Sequence, residues 1–283
     1  MNRNILLIRS NIRKAKGQIA AIVVLVLLSS SLMNLWLMLS MDYQKNFERS
    51  HERLNDGHVT VAAYTREEAF REALSELLWN SDEVTEFTMT DAFCMPGSFL
   101  YGGGEIMSSF VVLNKEEAVL RSVGKFEITQ EGAFDSGIYL PLIYGTGGNY
   151  SVGDTIELTL GTETFTYTVC GFFNSAMAGT HNCVMVSFLL TEDCFLELSE
   201  KSTAAKSTYI SIRMKEKTGN EELKASLIDE LSERFPNVLT IRNGYDEVKT
   251  ARYISQMICA GGYERHGIFC AADRCGCHFF QRN

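Results

Sequence analysis

The sequence predicts an α+β protein in which a single N-terminal transmembrane helix carries a two-lobed extracytoplasmic domain, and three observations predict it. Residues 19–41, IAAIVVLVLLSSSLMNLWLMLSM, run for 23 positions without one ionisable side chain. At about 1.5 Å rise per residue, a helix of that length spans the roughly 30 Å hydrocarbon core of a bilayer. Two β-α-β patterns, at 58–90 and 208–242, stand more than a hundred residues apart, as the halves of a split α/β sandwich do. Between them, glycine clusters and short alternating runs mark an inserted β-rich subdomain over 93–205.

The flanks of the apolar run orient it. Arg3, Arg9, Arg13, Lys14 and Lys16 precede it with no acidic residue, and Asp42, Glu48, Glu52 and Asp56 follow. This asymmetry places the N-terminus in the cytoplasm and the main domain outside the cell membrane. A cleaved signal peptide shares the basic start and small residues such as Ser29 and Ser31, but its apolar stretch then gives way to polar sequence. Here Leu32–Met41 stays apolar, so an uncleaved anchor is expected over 18–41. Trp36 reads as an interfacial anchor, and Asn34 as either a hydrogen-bonding contact to a neighbouring helix or a harmless polar residue near the interface.

Charge is partitioned along the chain. The net charge is −9, yet residues 42–253 hold 18 basic against 33 acidic side chains. An acidic outer domain excludes nucleic acid as a partner, because its phosphates need a basic surface. Of eight cysteines, Cys259, Cys270, Cys275 and Cys277 crowd the last 25 residues, while Cys94, Cys170, Cys183 and Cys194 are scattered without the spacing of a disulfide framework. If one pair is oxidised, Cys170 with Cys183 is the candidate.

In chain order, 1–17 place Ile5, Leu6, Ile8 and Ile12 on one helical face and the cations on the other, a cytoplasmic amphipathic helix on the inner leaflet or simply a basic flank. Residues 42–57 read as a helical stalk stopped by Asn55-Asp56-Gly57. The first α/β piece, 58–92, has a strand at 58–64, a capping box at 65–68, a helix with Phe70, Leu74, Leu77 and Leu78 inward, and a strand at 83–90. The second, 206–243, has a strand at 208–215, a helix at 220–235 with Leu223, Leu227, Ile228 and Leu231 inward, Pro236 as its stop, and a strand at 238–242. Within the insert, 138–143 reads as a strand, and 155–160 with 164–169 as a hairpin.

The stretch Tyr150-Ser-Val-Gly-Asp-Thr-Ile-Glu-Leu158, followed by Tyr167-Thr-Val-Cys-Gly-Phe172, resembles the GD-x-I-x-L and V-x-G signature of the MacB-type extracytoplasmic core in FtsX/MacB-superfamily ABC transporter permeases. Physically, Gly153-Asp154 make the turn, Ile156 and Leu158 face a core, and Gly171 is expected to end the returning strand. The N-terminus around Asn11-Ile12-Arg13-Lys14 is also similar to these permeases, and the likeness covers residues 1 to about 258. It implies a porter-like subdomain made from the two α/β pieces, a partner cytoplasmic ABC ATPase that binds the ATP, and a dimer of permease subunits or halves in the lipid bilayer.

The likeness fails at the C-terminus. Residues 244–262 resemble a helix returning to the membrane, but 263–283, YERHGIFCAADRCGCHFFQRN, replace the second span. Cys259, His266, Cys270, Cys275, Cys277 and His278 invite a zinc reading, yet C-x4-C-x-C-H lacks the paired spacing that lets two ligands meet one tetrahedral ion. An aberrant, truncated or frame-shifted tail is the expectation.

No G-x-x-x-x-G-K-[ST], H-E-x-x-H or G-x-S-x-G occurs, and His51, His58 and His181 read as exposed or capping residues. No catalytic residue, cofactor ligand or metal ligand is therefore assigned, and the chain is not expected to be an enzyme. Three functions compete: a permease or its N-terminal fragment, a single-span receptor module without transport, and a secreted enzyme, which the missing catalytic cluster disfavours. Each charge at 263–283, among them Glu264, Arg265, Asp273 and Arg274, costs about 2.5–3.5 kcal/mol at a bilayer centre. Deleting 263–283 is accordingly expected to leave the outer domain's melting temperature unchanged in a thermal scan; a drop of several degrees would identify a real structural element.

Overall fold

The computed structural model describes residues 16–147, 149–177, 185–202, 206–236, 238–242 and 244–247. The helices expected at 1–17 and beyond residue 247, the tail at 263–283, His181 and Cys183 lie outside the described residues, wholly or in their larger part. Two compact units divide at residue 49. The first holds most of α1, Lys16–Arg53. Its Lys16–Met38 portion is long and apolar enough to cross a membrane, and none of it is buried within the protein. Ile22 through Leu28 are all exposed.

The described residues of the second unit form ten strands. The α/β part comprises β1 (Val59–Ala63), α2 (Glu68–Asn80) and β2 (Val84–Tyr101). Its sequence-distant half is β9 (Lys206–Met214), α6 (Glu221–Ser232) and β10 (Leu239–Arg242). These strands lie in the order β10-β1-β9-β2, with every neighbouring pair antiparallel. Each β-α-β unit thus has a strand of the other between its own two strands. Side chains alternate across the pleat. Val59, Val61, Ala63, Ile210, Ile212, Met214 and Ile241 pack against Phe70, Ala73, Leu74 and Leu78 of α2 and Leu223, Leu227 and Leu231 of α6. Ile228 instead turns to solvent, since it lies one residue, about 100° of helical rotation, from Leu227.

The intervening segment supplies β3 (Gly104–Asn114), α3 (Lys115–Leu120), β4 (Glu127–Glu131), β5 (Ile138–Pro141), α4 (Leu142–Thr146), β6 (Thr155–Leu160), β7 (Glu163–Asn174), β8 (Met185–Leu190) and α5 (Glu192–Lys201). Hydrogen bonding runs β2-β3-β8-β5-β7, and β6 pairs with both β7 and β2. The six strands close into a ring. Phe99, Phe110, Phe188, Ile156, Leu158, Val169 and Val186 fill its interior, and among the described residues each of the six strands pairs with two neighbours in the ring.

Several sequence boundaries shift, each for a local reason. The insert was expected as a separate lobe beginning at 93, but β2 runs unbroken through that position, pairing with β9 over its first half and with β3 and β6 over its second. All ten strands consequently belong to one hydrogen-bonded sheet. The strand at 138–143 stops at Pro141, after which Leu142–Thr146 forms a short helix. The capping box does not form: α2 takes Glu67 as its N-cap, and the Thr65 hydroxyl accepts from Glu67 N at 3.2 Å instead. Gly171 does not end a strand either. β7 continues to Asn174, and Gly171 is required inside it because a Cβ there would collide with Gln130 O and reach 2.9 Å from the Tyr139 ring.

Phe110 is fully buried inside the ring and Leu100, at its rim, is 61% exposed. Phe110→Ala should lower the unfolding free energy by about 3–5 kcal/mol, and Leu100→Ala by under about 0.5 kcal/mol, in equilibrium denaturation.

Candidate functional site

The second unit begins where α1 ends, and the joint is built from short-range geometry. Leu54 N donates to Ser50 O and Asp56 N to His51 O, both at 2.9 Å. Asn55 then takes φ +47, a left-handed value that asparagine tolerates and that ends the helix. Gly57 follows against β9, where a Cβ would stand 3.0 Å from Ile212 N. His58 N donates to Ile212 O at 2.8 Å, and the chain is committed to β1. The stalk expected over 42–57 is therefore helical only to Arg53, and its last residues, Leu54, Asp56 and Gly57, are interior to the domain.

His51 and His58, read from the sequence as exposed or capping residues, are both buried here. Their rings stack with centroids 5.1 Å apart and planes 7° from parallel. Tyr245 meets both edge-on, at 5.1 Å and 5.7 Å, and its N–H donates to His58 O at 3.2 Å. His51 Nε2 donates to Gly57 O at 3.3 Å. His58 Nδ1 accepts from Met214 N at 3.0 Å, which puts that ring's proton on Nε2.

Charged groups surround this stack. Glu52 pairs with Arg213 and with Lys217, the latter at 2.6 Å, while Arg213 Nη1 donates to Asp56 O at 3.0 Å. The Lys217 ammonium also lies 5.9 Å from the Tyr245 ring centroid. Burial lowers both imidazoles from an ordinary 6.5 to about 4; Arg213 assists at His51, and His51, Arg213 and Lys217 assist at His58. Lys217, with Arg213, holds the Glu52 carboxyl at about 2. The linkage signs follow. The histidines' contribution to stability is complete above pH 6.5 and is lost as pH falls toward 4. That of Glu52 is present above 4.5 and lost through 2.

Beneath the joint lies a second polar group. Asp56 is buried, its Oδ1 accepts from Gly57 N at 2.8 Å, and burial pushes its carboxyl up to about 6 against the pull of Gly57 N–H and the Arg121 guanidinium. Arg121 is itself buried, donating to Thr90 Oγ1, to Ser211 Oγ at 2.7 Å and to the carbonyls of Val123 and Gly124 at 3.2 Å, with its guanidinium 5.0 Å from the Tyr209 ring centroid. The Asp56 contribution to stability has the opposite sign to the histidines', being complete below 3.8 and lost as pH rises through 6.

Among the described residues, no group of three or more His, Cys, Asp or Glu is placed to hold a metal ion. Cys94, Cys170 and Cys194 are free, buried thiols, and burial raises Cys94 to about 12, far from a nucleophilic thiolate. What the arrangement can do is fasten a helix to a sheet through buried rings and charges. Sequence reading missed it because His51 and His58 lie seven residues apart across a helix stop, and Arg121 is an isolated cation in the insert.

The GD turn behaves as its residues suggest. Gly153 takes φ +96, Asp154 Oδ2 accepts from Ser151 N at 2.7 Å, and Ile156 and Leu158 enter the ring's core.

No protein-family model and no curated protein matches the chain. Solved structures do. The periplasmic region of MacB from Actinobacillus actinomycetemcomitans is 10% identical over 75% of this chain and 97% of that one, with a TM-score of 0.31. The extracellular domain of the noncanonic ABC-type transporter YknZ from Gram-positive bacteria is 9% identical over 65% and 99%, also at 0.31.

Replacing Arg121 leaves the buried Thr90 and Ser211 hydroxyls without their donor and the buried Asp56 carboxyl without its neighbouring cation. Arg121→Ala should cost about 3–5 kcal/mol in chemical denaturation at pH 7, and adding Asp56→Asn should recover part of it.

Proposed function

We propose that the chain is the membrane subunit of an ABC transporter of the FtsX/MacB type, or the N-terminal part of one, acting without bound nucleotide of its own. The observation that carries this reading is α1: 38 residues of unbroken helix lead from a basic-flanked apolar stretch to a last turn locked into a sheet by His51, Glu52 and Asp56. A helix transmits displacement along its axis because every backbone hydrogen bond is internal to it. A partner ATPase on the cytoplasmic side would move the spans, α1 would carry that motion outward, and the outer unit would act on a lipid, peptide, antibiotic or envelope component. Two subunits or halves would form the working dimer.

The sequence signature supports the same reading, with Gly153-Asp154 at a turn, Ile156 and Leu158 in a core and Gly171 where no side chain fits. The reading makes two measurable demands. Reporter fusions should place residue 10 in the cytoplasm and residues 100 and 220 outside, and purification from native membranes should bring an ABC ATPase with the chain. Residues 10 and 220 on one side would overturn it; correct topology without any ATPase would favour the single-span receptor module.

A further inference from the structure

We propose that the joint between α1 and the sheet is a proton-operated latch: in mild acid, protonation of the stacked His51–His58 pair releases the helix's last turn and the Tyr245 segment from β9 and β1. The geometry admits only the neutral pair. Nδ1 of His58 accepts from Met214 N, and a proton placed on it would set two donors face to face and abolish that bond. Nε2 of His58 is buried with no hydrogen-bond partner, so no acceptor compensates the cation. Two imidazolium rings stacked at 5.1 Å would repel one another in an interior of low dielectric constant.

The charged groups around the stack reinforce the effect. From α1 comes Glu52, the nearest carboxylate, already engaged by two cations: Arg213 of β9 and Lys217 of the following turn. From the connecting loop comes Asp56, whose own environment is shared with Arg121. From the closing turn come the Tyr245 phenol and Asp246, whose Oδ2 accepts from Gly219 N at 3.3 Å. Arg213 and Lys217 oppose protonation of both histidines, and Glu52 favours it. Opening hydrates both rings, separates them and frees Nδ1, so protons bind the open form better.

The size of the response follows from linkage. An imidazole returning from about 4 to 6.5 on release raises the opening constant roughly thirty-fold between pH 7.5 and 5.0. Asp56, if freed at the same time, opposes this by roughly ten-fold. A net increase of at least about ten-fold is expected with both rings contributing. The latch belongs to the joint itself and operates with no ATPase present, so its failure would leave the transport reading standing.

Hydrogen–deuterium exchange on the full chain in detergent micelles tests it, with rates corrected for the intrinsic pH dependence of amide exchange. Peptides covering 54–60 and 244–247 should lose protection at least about ten-fold more at pH 5.0 than at 7.5, while β3 amides inside the ring stay protected. In the His51→Gln/His58→Gln variant, a neutral carboxamide can still accept from Met214 N, and the acid-induced loss of protection should vanish, leaving no pH response or the opposite one from Asp56, of at most about ten-fold. Exchange at the imidazole C2 position of the wild-type chain provides a second measurement that needs no variant, since protonation of His51 and His58 should share its midpoint with the opening. Unchanged protection at pH 5.0, an equal response in the double variant, separate midpoints, or simultaneous opening of β3 would each overturn the latch.

Discussion

One strand holds the second unit together. Over its first half β2 is hydrogen-bonded to β9, from Val84↔Met214 to Phe93↔Lys206, and over its second half to β3, with β6 closing on Gly97–Phe99. The α/β sheet and the six-stranded ring are therefore continuous through a single backbone. Between their two cores lies a third cluster, with Ala62, Ala92, Cys94, Val111, Tyr139, Phe173 and Tyr209 packed together. Bending one part against the other means breaking strand hydrogen bonds and opening this cluster. Gly97 shows how tightly the crossing is made, for a Cβ there would press on Thr159 O and come within 2.5 Å of the Phe110 ring.

The joint at α1 obeys a different constraint, the cost of ionised groups out of water. His51 and His58 are held neutral by burial, while Glu52 is held ionised by two cations at a more exposed position. Asp56 and Arg121 sit deeper, where every polar atom needs a partner, and Arg121 finds four of them. The stability contributions of the histidines and of Asp56 change in opposite directions across overlapping pH ranges, and the response of the joint to acid is the balance between them.

Much of the fold could be read from the chain because its local patterns agree with their tertiary roles. The leucines at 223, 227 and 231 repeat every four residues and do face the sheet, and the alternation of Ile210, Ile212 and Met214 does line one face of β9. Asn55-Asp56-Gly57 reads as a stop and is one, because left-handed backbone at Asn55 and the close approach at Gly57 are local demands. Closure of the ring could not be read, since the pairing of β6 with β2 joins positions some sixty residues apart and leaves no periodic trace. Nor could the histidine pair: nothing in HERLNDGH says that the chain reverses so as to stack the first ring on the last. Polar residues brought inside by long-range contacts look like surface residues in a linear text.

Ring closure also limits the backbone edge left free for strand addition. A ten-stranded sheet ordinarily offers long backbone edges to any passing strand, and proteins concentrated in two dimensions on a bilayer collide often. Among the described residues, β10 and β4 lie at the ends of the strand order, the first four residues long and the second five, with Glu127 and Glu131 at its two ends. Edges that short and, in β4, that acidic are poor templates for strand addition. Under the proposed anchoring, crowding at high surface density would then act through side-chain surfaces that can separate again, while the backbone of each copy stays closed to its neighbours.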